Sequence, residues 1–349
     1  MRVKASVLGH FGEGKKLLNG QTVKTKIITE ELQKQLGQDQ VIKIDTHGGW
    51  KILLKAPIQV FRALRNSMNV LIFPAHNGLR VYAPLLSFQR NFFKKRKIHY
   101  VVIGGWLPHF LSKRKSLANA LKRFDGIYVE TNTMKSALKA QGFENVFVMP
   151  NCKDLRVLSE QELIYPSEFP YKLCTFSRVM KEKGIETAVD AVKKVNDKLG
   201  YTAYSLDIYG QVDSAQTEWF TELQRKNPEY IRYCGAVSFD KSVDVLKEYF
   251  ALLFPTYYVG EGFAGTLIDA FSAGLPVIAS DWKYNAEIVN ENVGFVYPTG
   301  DPNAFIDILE KAVVNPNIIL SKKKLCLSEV EKYKINKAVQ VLIRHMEGN

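Results

Sequence analysis

The second half of this 349-residue chain alternates short apolar runs with helix-period segments, and that alternation restricts the fold more than any other feature. KLCTFSR (172–178) is followed by GIETAVDAVKKVNDKLG (184–200), where Ile185, Ala188, Val189, Val192, Val195 and Leu199 recur at helical spacing and Gly200 supplies a stop. YSLDIYG (204–210), YIRYCGAV (230–237), FALLFPT (250–256) and PVIAS (276–280) read as strands. The helices TEWFTELQRK (217–226), DKSVDVLKEY (240–249) and one ending near Gly274 lie between them. Strands separated by single helices do not pair through tight hairpins. They build a parallel, doubly wound sheet with helices on both faces.

The first half follows the same rhythm. VKASVLG (3–9), QVIKID (40–45), NVLIFPA (69–75), HYVVIGG (99–105), GIYVET (126–131) and NVFVMPN (145–151) are strand candidates, with helices such as 23–37 and 57–66 among them. The stretch 158–172, with Pro166 and Pro170, reads as a linker. The expected architecture is therefore α/β, with one Rossmann-like domain over 1–165 and a second over 166–333, facing each other across a cleft. KINKAVQVLIRHM (334–346) is helical and lies beyond the last predicted strand, so residues 334–349 are expected to pack back on the first domain. Ligands of such sheets bind at the carboxyl ends of the strands.

Charge divides the halves. Residues 1–166 hold 27 basic and 11 acidic residues, a net +16, whereas 167–349 hold 21 and 24, a net −3. No acidic residue occurs between Asp45 and Asp125, where 15 basic ones do. The first half thus carries a field suited to a polyphosphate, a nucleic acid or an anionic membrane. NFFKKRK (91–97) and HFLSKRKSLANALKRF (109–124) mix aromatic and aliphatic residues with cations. The second is expected as one basic amphipathic helix, able either to lie on an anionic leaflet or to present a solvated basic face. Cys152, Cys174, Cys234 and Cys326 are far apart, which fits a reducing compartment. The stretch MRVKASVLGHFGEG (1–14) lacks the apolar run and cleavage site of a signal peptide, and no apolar run is long enough to span a bilayer, so a soluble intracellular protein is expected. The expected location is the cytoplasm, peripheral at the inner face of the cell membrane.

Chemistry concentrates in GEGFAGTLIDAFSAGLPVIASD (260–281). Glu261 follows a strand in a loop containing Gly260, Gly262 and Gly265, and a helix opens near Gly265. Glycines let backbone approach a ligand, and free N–H groups at a helix start attract anions. Asp269 lies eight positions after Glu261, near the start of that helix. Two carboxylates beside a phosphate-friendly backbone suit a nucleotide sugar, although an acid at a helix start is also stabilised without any ligand.

These residues resemble the E-x7-E segment of retaining GT-B glycosyltransferases of glycosyltransferase family 4, and GGWLPHF (104–110) is similar to bacterial capsule and exopolysaccharide members. The resemblance implies that Glu261 contacts donor sugar hydroxyls. It places the amides of Gly262, Phe263, Ala264, Gly265 and Thr266 near sugar and diphosphate, and Asp269, where the family usually has Glu, on the ribose diol. FSRVMKEKGIETAVDA (176–191) matches the family's strand–Arg–loop–Lys-Gly–helix segment, so Arg178 and Lys183 are implied to clamp the diphosphate. By the same resemblance Gly235 and Val237 lie where backbone reads the base. The loop 10–26 is the Gly-rich donor loop, with Gly20 and Gln21 facing the diphosphate and Lys24 nearby. Where many members carry a histidine this chain has Gly104-Gly105, so His76 or His109 is a candidate to stand in.

The sequence carries no D-x-D in a loop, no H-E-x-x-H and no G-x-S-x-G. The expectation is a retaining hexosyltransferase that needs neither metal nor cofactor. A UDP-sugar is the first choice of donor and a GDP-sugar the second; the acceptor is a glycan or a polyprenyl-diphosphate-linked oligosaccharide, as in surface polysaccharide synthesis. A nucleotide-sugar epimerase and a non-catalytic scaffold for an anionic ligand remain alternatives. Nucleic acid lacks a recognisable signature and is not an expected partner.

Overall fold

The computed structural model describes residues 2–12, 14 and 20–348, with the side chains of Trp50 and Lys51 excepted. The chain divides into two compact units, 1–154 with 333–349 and 155–332. The second unit begins at Leu155, ahead of the proline-bearing stretch expected to link the halves.

The first unit holds a sheet of β1 (Val3–Gly9), β2 (Val41–Asp45), β3 (Ser67–Ile72), β4 (Lys97–Val101), β5 (Gly126–Val129) and β6 (Val146–Val148). Its spatial order is β2-β1-β3-β4-β5-β6, with every pair parallel. The chain leaves β1 on one side to form β2 and returns on the other to form β3. A crevice opens where the winding reverses, between the carboxyl ends of β1 and β3.

The second unit repeats the plan with β7 (Tyr171–Phe176), β8 (Tyr204–Tyr209), β9 (Ile231–Gly235), β10 (Ala251–Phe254), β11 (Val277–Ser280) and β12 (Gly294–Tyr297). The order is β12-β11-β10-β7-β8-β9, again wholly parallel, so its reversal lies between β7 and β10. β12 is a strand that the sequence reading did not include: at four residues, two of them half-buried, GFVY presents too short an apolar run.

Local chemistry explains the elements. The helix Ile185–Leu199 turns Ile185, Ala188, Val189, Val192 and Val195 onto the sheet, all fully buried, and ends at Gly200 with φ 74°. Each such branched side chain contributes on the order of 2 kcal/mol through lost water contact. The helix Ile335–Glu347 packs on the first unit, sharing a core with β1, β3 and the helix Gly20–Leu36 through Ala338, Val339, Leu342, Ile343 and Met346. Lys97 Nζ donates to the carbonyls of His345 and Met346 at 3.0 and 3.2 Å, a cation set against the negative end of that helix.

The single basic helix expected over 109–124 is two helices, Leu107–Ser112 and Lys115–Lys122. Ser112 Oγ donates to the carbonyl of His109, and Arg114 adopts φ −140°, which ends the first helix. Leu111, Leu117, Leu121 and Phe124 are all buried in the core. Its apolar face is therefore satisfied by the fold, and a solvated basic face is what remains.

Candidate active site

The reversal of the second sheet brings two loops together. Lys183 ends a one-turn 3-10 helix (Lys181–Lys183) after β7, and Glu261 follows β10. Though 78 positions apart in sequence, Lys183 Nζ lies 2.5 Å from Glu261 Oε2. Their side chains are 11% and 8% exposed, so this is a largely desolvated ion pair. Thr256 Oγ1 donates to the same Oε2 at 2.9 Å. Oε1 has no hydrogen-bond partner among the described residues. Lysine carries three N–H donors, and this pairing uses one.

The backbone holds the pair in place. Gly184 has φ 73°, and a Cβ there would stand 2.1 Å from the carbonyl oxygen of Pro255, so only glycine lets the Lys183 turn press against the end of β10. Tyr257 N donates to Glu182 O at 2.8 Å. From the other side, Ser280 Oγ donates to Thr256 O at 2.6 Å and Trp282 Nε1 to Tyr258 O at 2.7 Å. The Glu261 loop is thus fastened to the ends of both neighbouring strands.

Gly262 and Phe263 are buried behind Glu261, and Ala264 precedes the helix Gly265–Ser272, whose start no side chain caps. Thr266 Oγ1 donates to Phe176 O at 2.5 Å, which fastens this helix to the end of β7 and commits the hydroxyl to backbone. Asp269 is buried, 4% exposed, at the fifth residue of the helix. Arg178 is half exposed and its Nη1 lies 3.4 Å from Asp213 Oδ2. Gly235, at φ 77°, and the half-buried Val237 close β9 at the sheet edge, two strands from β7.

Two neighbours of Glu261 were not foreseen. Thr256 is a small polar residue just past an apolar strand, a position from which side chains reach the crevice. Lys283, after β11, donates to Val259 O; burial lowers its pKa and the Glu261 charge partly offsets that. A basic residue following the strand beside β10 was the available signal.

In the first unit, Gly20 and Gln21 open the helix Gly20–Leu36 rather than lying in a loop. Glu13 and residues 15–19 of the expected donor loop lie outside the described residues. Lys24 is 5% exposed in a 2.5 Å ion pair with Glu130 and is committed to the fold. Gln21 and His76 line a cavity of about 500 Å³ at the β1/β3 reversal, together with His10, Thr46, Asn77 and Tyr82. Gln21 Nε2 donates to Phe73 O at 3.1 Å. His76 stacks on Trp106 with ring centroids 3.9 Å apart; burial, and after it the Arg114 cation, lower its pKa. His109 is exposed and does not line this cavity.

His10, absent from the candidate residues, stands at the carboxyl end of β1. Its Nε2 is 2.7 Å from His47 Nδ1, and its Nδ1 is 2.7 Å from Thr22 Oγ1. Two ring nitrogens that share one hydrogen bond cannot both carry protons. Burial, followed by the charge of His47, lowers the pKa of His10. The chemistry of this crevice is polar and largely neutral.

Residues 170–315 match the family described as glycosyl transferases group 1. Over 166 residues, 46% of this chain and 31% of the relative, the sequence is 30% identical to the UDP-N-acetylglucosamine–peptide N-acetylglucosaminyltransferase GtfA subunit of Streptococcus gordonii. Over a further 166-residue alignment, 45% of this chain and 40% of the relative, it is 23% identical to the amylovoran biosynthesis glycosyltransferase AmsK of Erwinia amylovora. The matches therefore span between 31% and 40% of those curated proteins. HepE of Anabaena, solved in complex with UDP, superposes with a TM-score of 0.75 at 14% identity, covering 99% of this chain and 100% of that one. The chain thus has the GT-B fold and, over residues 170–315, matches the group 1 glycosyl transferases.

Proposed function

We infer that this chain moves a hexosyl unit from a nucleoside-diphosphate sugar to a hydroxyl of a glycan or lipid-linked oligosaccharide, with the anomeric configuration retained. One observation carries this: Lys183 and Glu261 meet at the reversal of the second sheet, beside the uncapped start of the helix Gly265–Ser272. Glu261 Oε1 is left to accept from sugar hydroxyls while Oε2 is held. The two remaining donors of Lys183 serve a departing diphosphate, aided by helix amides and, after release from Asp213, Arg178. These groups neutralise the leaving charge without requiring a metal. Gly235 and Val237 would border the base, and Asp269 the ribose.

UDP is favoured over GDP because HepE was solved with UDP and the name of the GtfA relative specifies a UDP-sugar. The neutral cavity of the first unit, with His10, Gln21 and His76, suits the hydroxyls of a carbohydrate. Exposed Phe88 and Phe92 next to Lys94 and Lys95 would hold the protein at an anionic leaflet.

Thermal denaturation with UDP, GDP and ADP tests the reading. A ligand at 100 times its dissociation constant adds about 2.7 kcal/mol of stability. UDP is expected to raise the midpoint most; no shift with any of the three would defeat the proposal. Product analysis by NMR then reports the anomer, and conversion of the donor without acceptor would identify an epimerase instead.

A further inference from the structure

The helix His76–Gln89 borders two cavities of the first unit. Its first turn lines the neutral crevice, and Arg80 and Pro84, farther along, wall a second cavity of about 650 Å³ completed by Lys113, Arg114, Lys115 and Ser116. Four cations converge on this concavity. Among the described residues no carboxylate pairs with any of them, and the sequence supplies none between Asp45 and Asp125. Arg114 is held by its own neighbour: its guanidinium lies 3.9 Å over the Phe110 ring and donates to the Phe110 carbonyl. Like charges gathered this way repel one another until an anion arrives. Arg offers a planar fork and Lys a point charge, a combination suited to phosphate oxygens.

The helix also gives this anion site a direction. Arg80, Pro84 and Phe88 recur every four residues and share one face. Phe88 is 62% exposed and Phe92, just beyond the helix, 73%, with their rings edge to face at 5.8 Å. A basic cavity thus continues along one stripe into exposed aromatic surface, which matches an amphiphile with a phosphate head and an apolar tail. Resting on the glycosyl-transfer reading above, we propose that this cavity binds the diphosphate of a lipid-linked acceptor, whose lipid runs over Phe88 and Phe92. Its sugar would then lie toward the neighbouring neutral crevice, at the other end of the same helix segment.

Titration of the whole protein with farnesyl diphosphate, in parallel with UDP, tests this. The wild-type protein is expected to bind farnesyl diphosphate, more weakly as salt rises. The double variant Arg80→Ala with Lys115→Ala is expected to bind it about 25-fold less tightly, each cation near such a surface contributing on the order of a fivefold effect. Phe88→Ser with Phe92→Ser should weaken farnesyl diphosphate while leaving inorganic diphosphate unaffected, and UDP affinity should not change in either variant. Farnesyl diphosphate affinity that is absent in the wild type, or equal in the cation variant, overturns the site even if UDP binds normally. Failure of UDP to bind instead defeats the donor reading. Vesicles of phosphatidylglycerol form the third arm: if the cation variant loses vesicle binding yet keeps farnesyl diphosphate, the cavity serves bilayer headgroups and the proposal is wrong.

Discussion

Each sheet reverses its winding once, after one strand in the first and after two in the second, and the residues at the two reversals differ in kind. At β7/β10 a lysine and a glutamate are paired out of water, with Thr256 and a fastened backbone around them. At β1/β3 stand histidines, a glutamine and a threonine, with the imidazole pKa values of His10 and His76 lowered mainly by burial. The first unit has the larger positive charge, but places it away from its crevice, on the wall formed by Arg80 and Lys113–Lys115. A winding reversal common to both sheets therefore fixes where a ligand sits and leaves open what it is. Paired charge suits a group whose charge changes during reaction, and neutral donors suit hydroxyls.

The largest test of this contrast is kinetic. Glu261→Gln and Lys183→Ala are each expected to lower kcat about 100- to 1000-fold, the range seen when one preorganised charge-stabilising group is lost. His76→Ala or Gln21→Ala should act mainly on the KM for acceptor, by less than about tenfold. Equal losses on both sides would erase the distinction.

Stability gives the next test. Lys183→Ala leaves Glu261 buried beside an empty position, an expected loss of about 3 kcal/mol by urea denaturation. The double change Lys183→Met with Glu261→Leu should cost clearly less than the sum of the single changes, because it strands no charge. Gly184→Ala demands a left-handed alanine with its Cβ against Pro255 O, and about 2–3 kcal/mol of destabilisation is expected. Gly20→Ala, where nothing lies within 4 Å of the added carbon, should be near neutral.

The pH dependence of stability probes the first unit. His99 is fully buried between Tyr128 and Asn69, and burial chiefly lowers its pKa from 6.5 to about 3. The folded pKa is depressed, so below pH 6.5 the unfolded chain takes up a proton that the native state does not. Stability is therefore lost as pH falls from 6.5 toward 3, by about 2 kcal/mol between 6.5 and 5. His99→Gln should flatten that slope in chemical denaturation at the two pH values, whatever its effect at pH 7. An unchanged slope would assign the acid sensitivity elsewhere.

Much of this was legible before any coordinates. The helix 185–199 followed from its valine spacing, and the strands at β7, β8 and β10 from runs of apolar residues bounded by turns. Glu261 and the glycines from Gly260 to Gly265 stood out as a carboxylate in a Gly-rich loop between an apolar strand and a helix, and Lys183 through the resemblance of 176–191 to the family segment. That Lys183 pairs with Glu261 could not be read, since it depends on which strands become neighbours. Thr256, Lys283 and the His10–His47 contact were hidden for the same reason: a lone polar residue past a strand acquires meaning only from the loop beside it. The basic segment 109–124 misled by periodicity, because leucines near helical spacing persist across a break at Ser112 and the non-helical Arg114.

The helix Ile335–Glu347 has a consequence for synthesis. The 155–332 unit interrupts the 1–154 unit, so a ribosome finishes everything the second sheet needs before it delivers the segment that closes the first core. The earlier-made portion must wait with Ala5, Val7 and Leu71 covered only in part, by the helix Gly20–Leu36, while the later-made portion is free to fold first. Chaperone contact during translation should accordingly concentrate on the amino-terminal sheet.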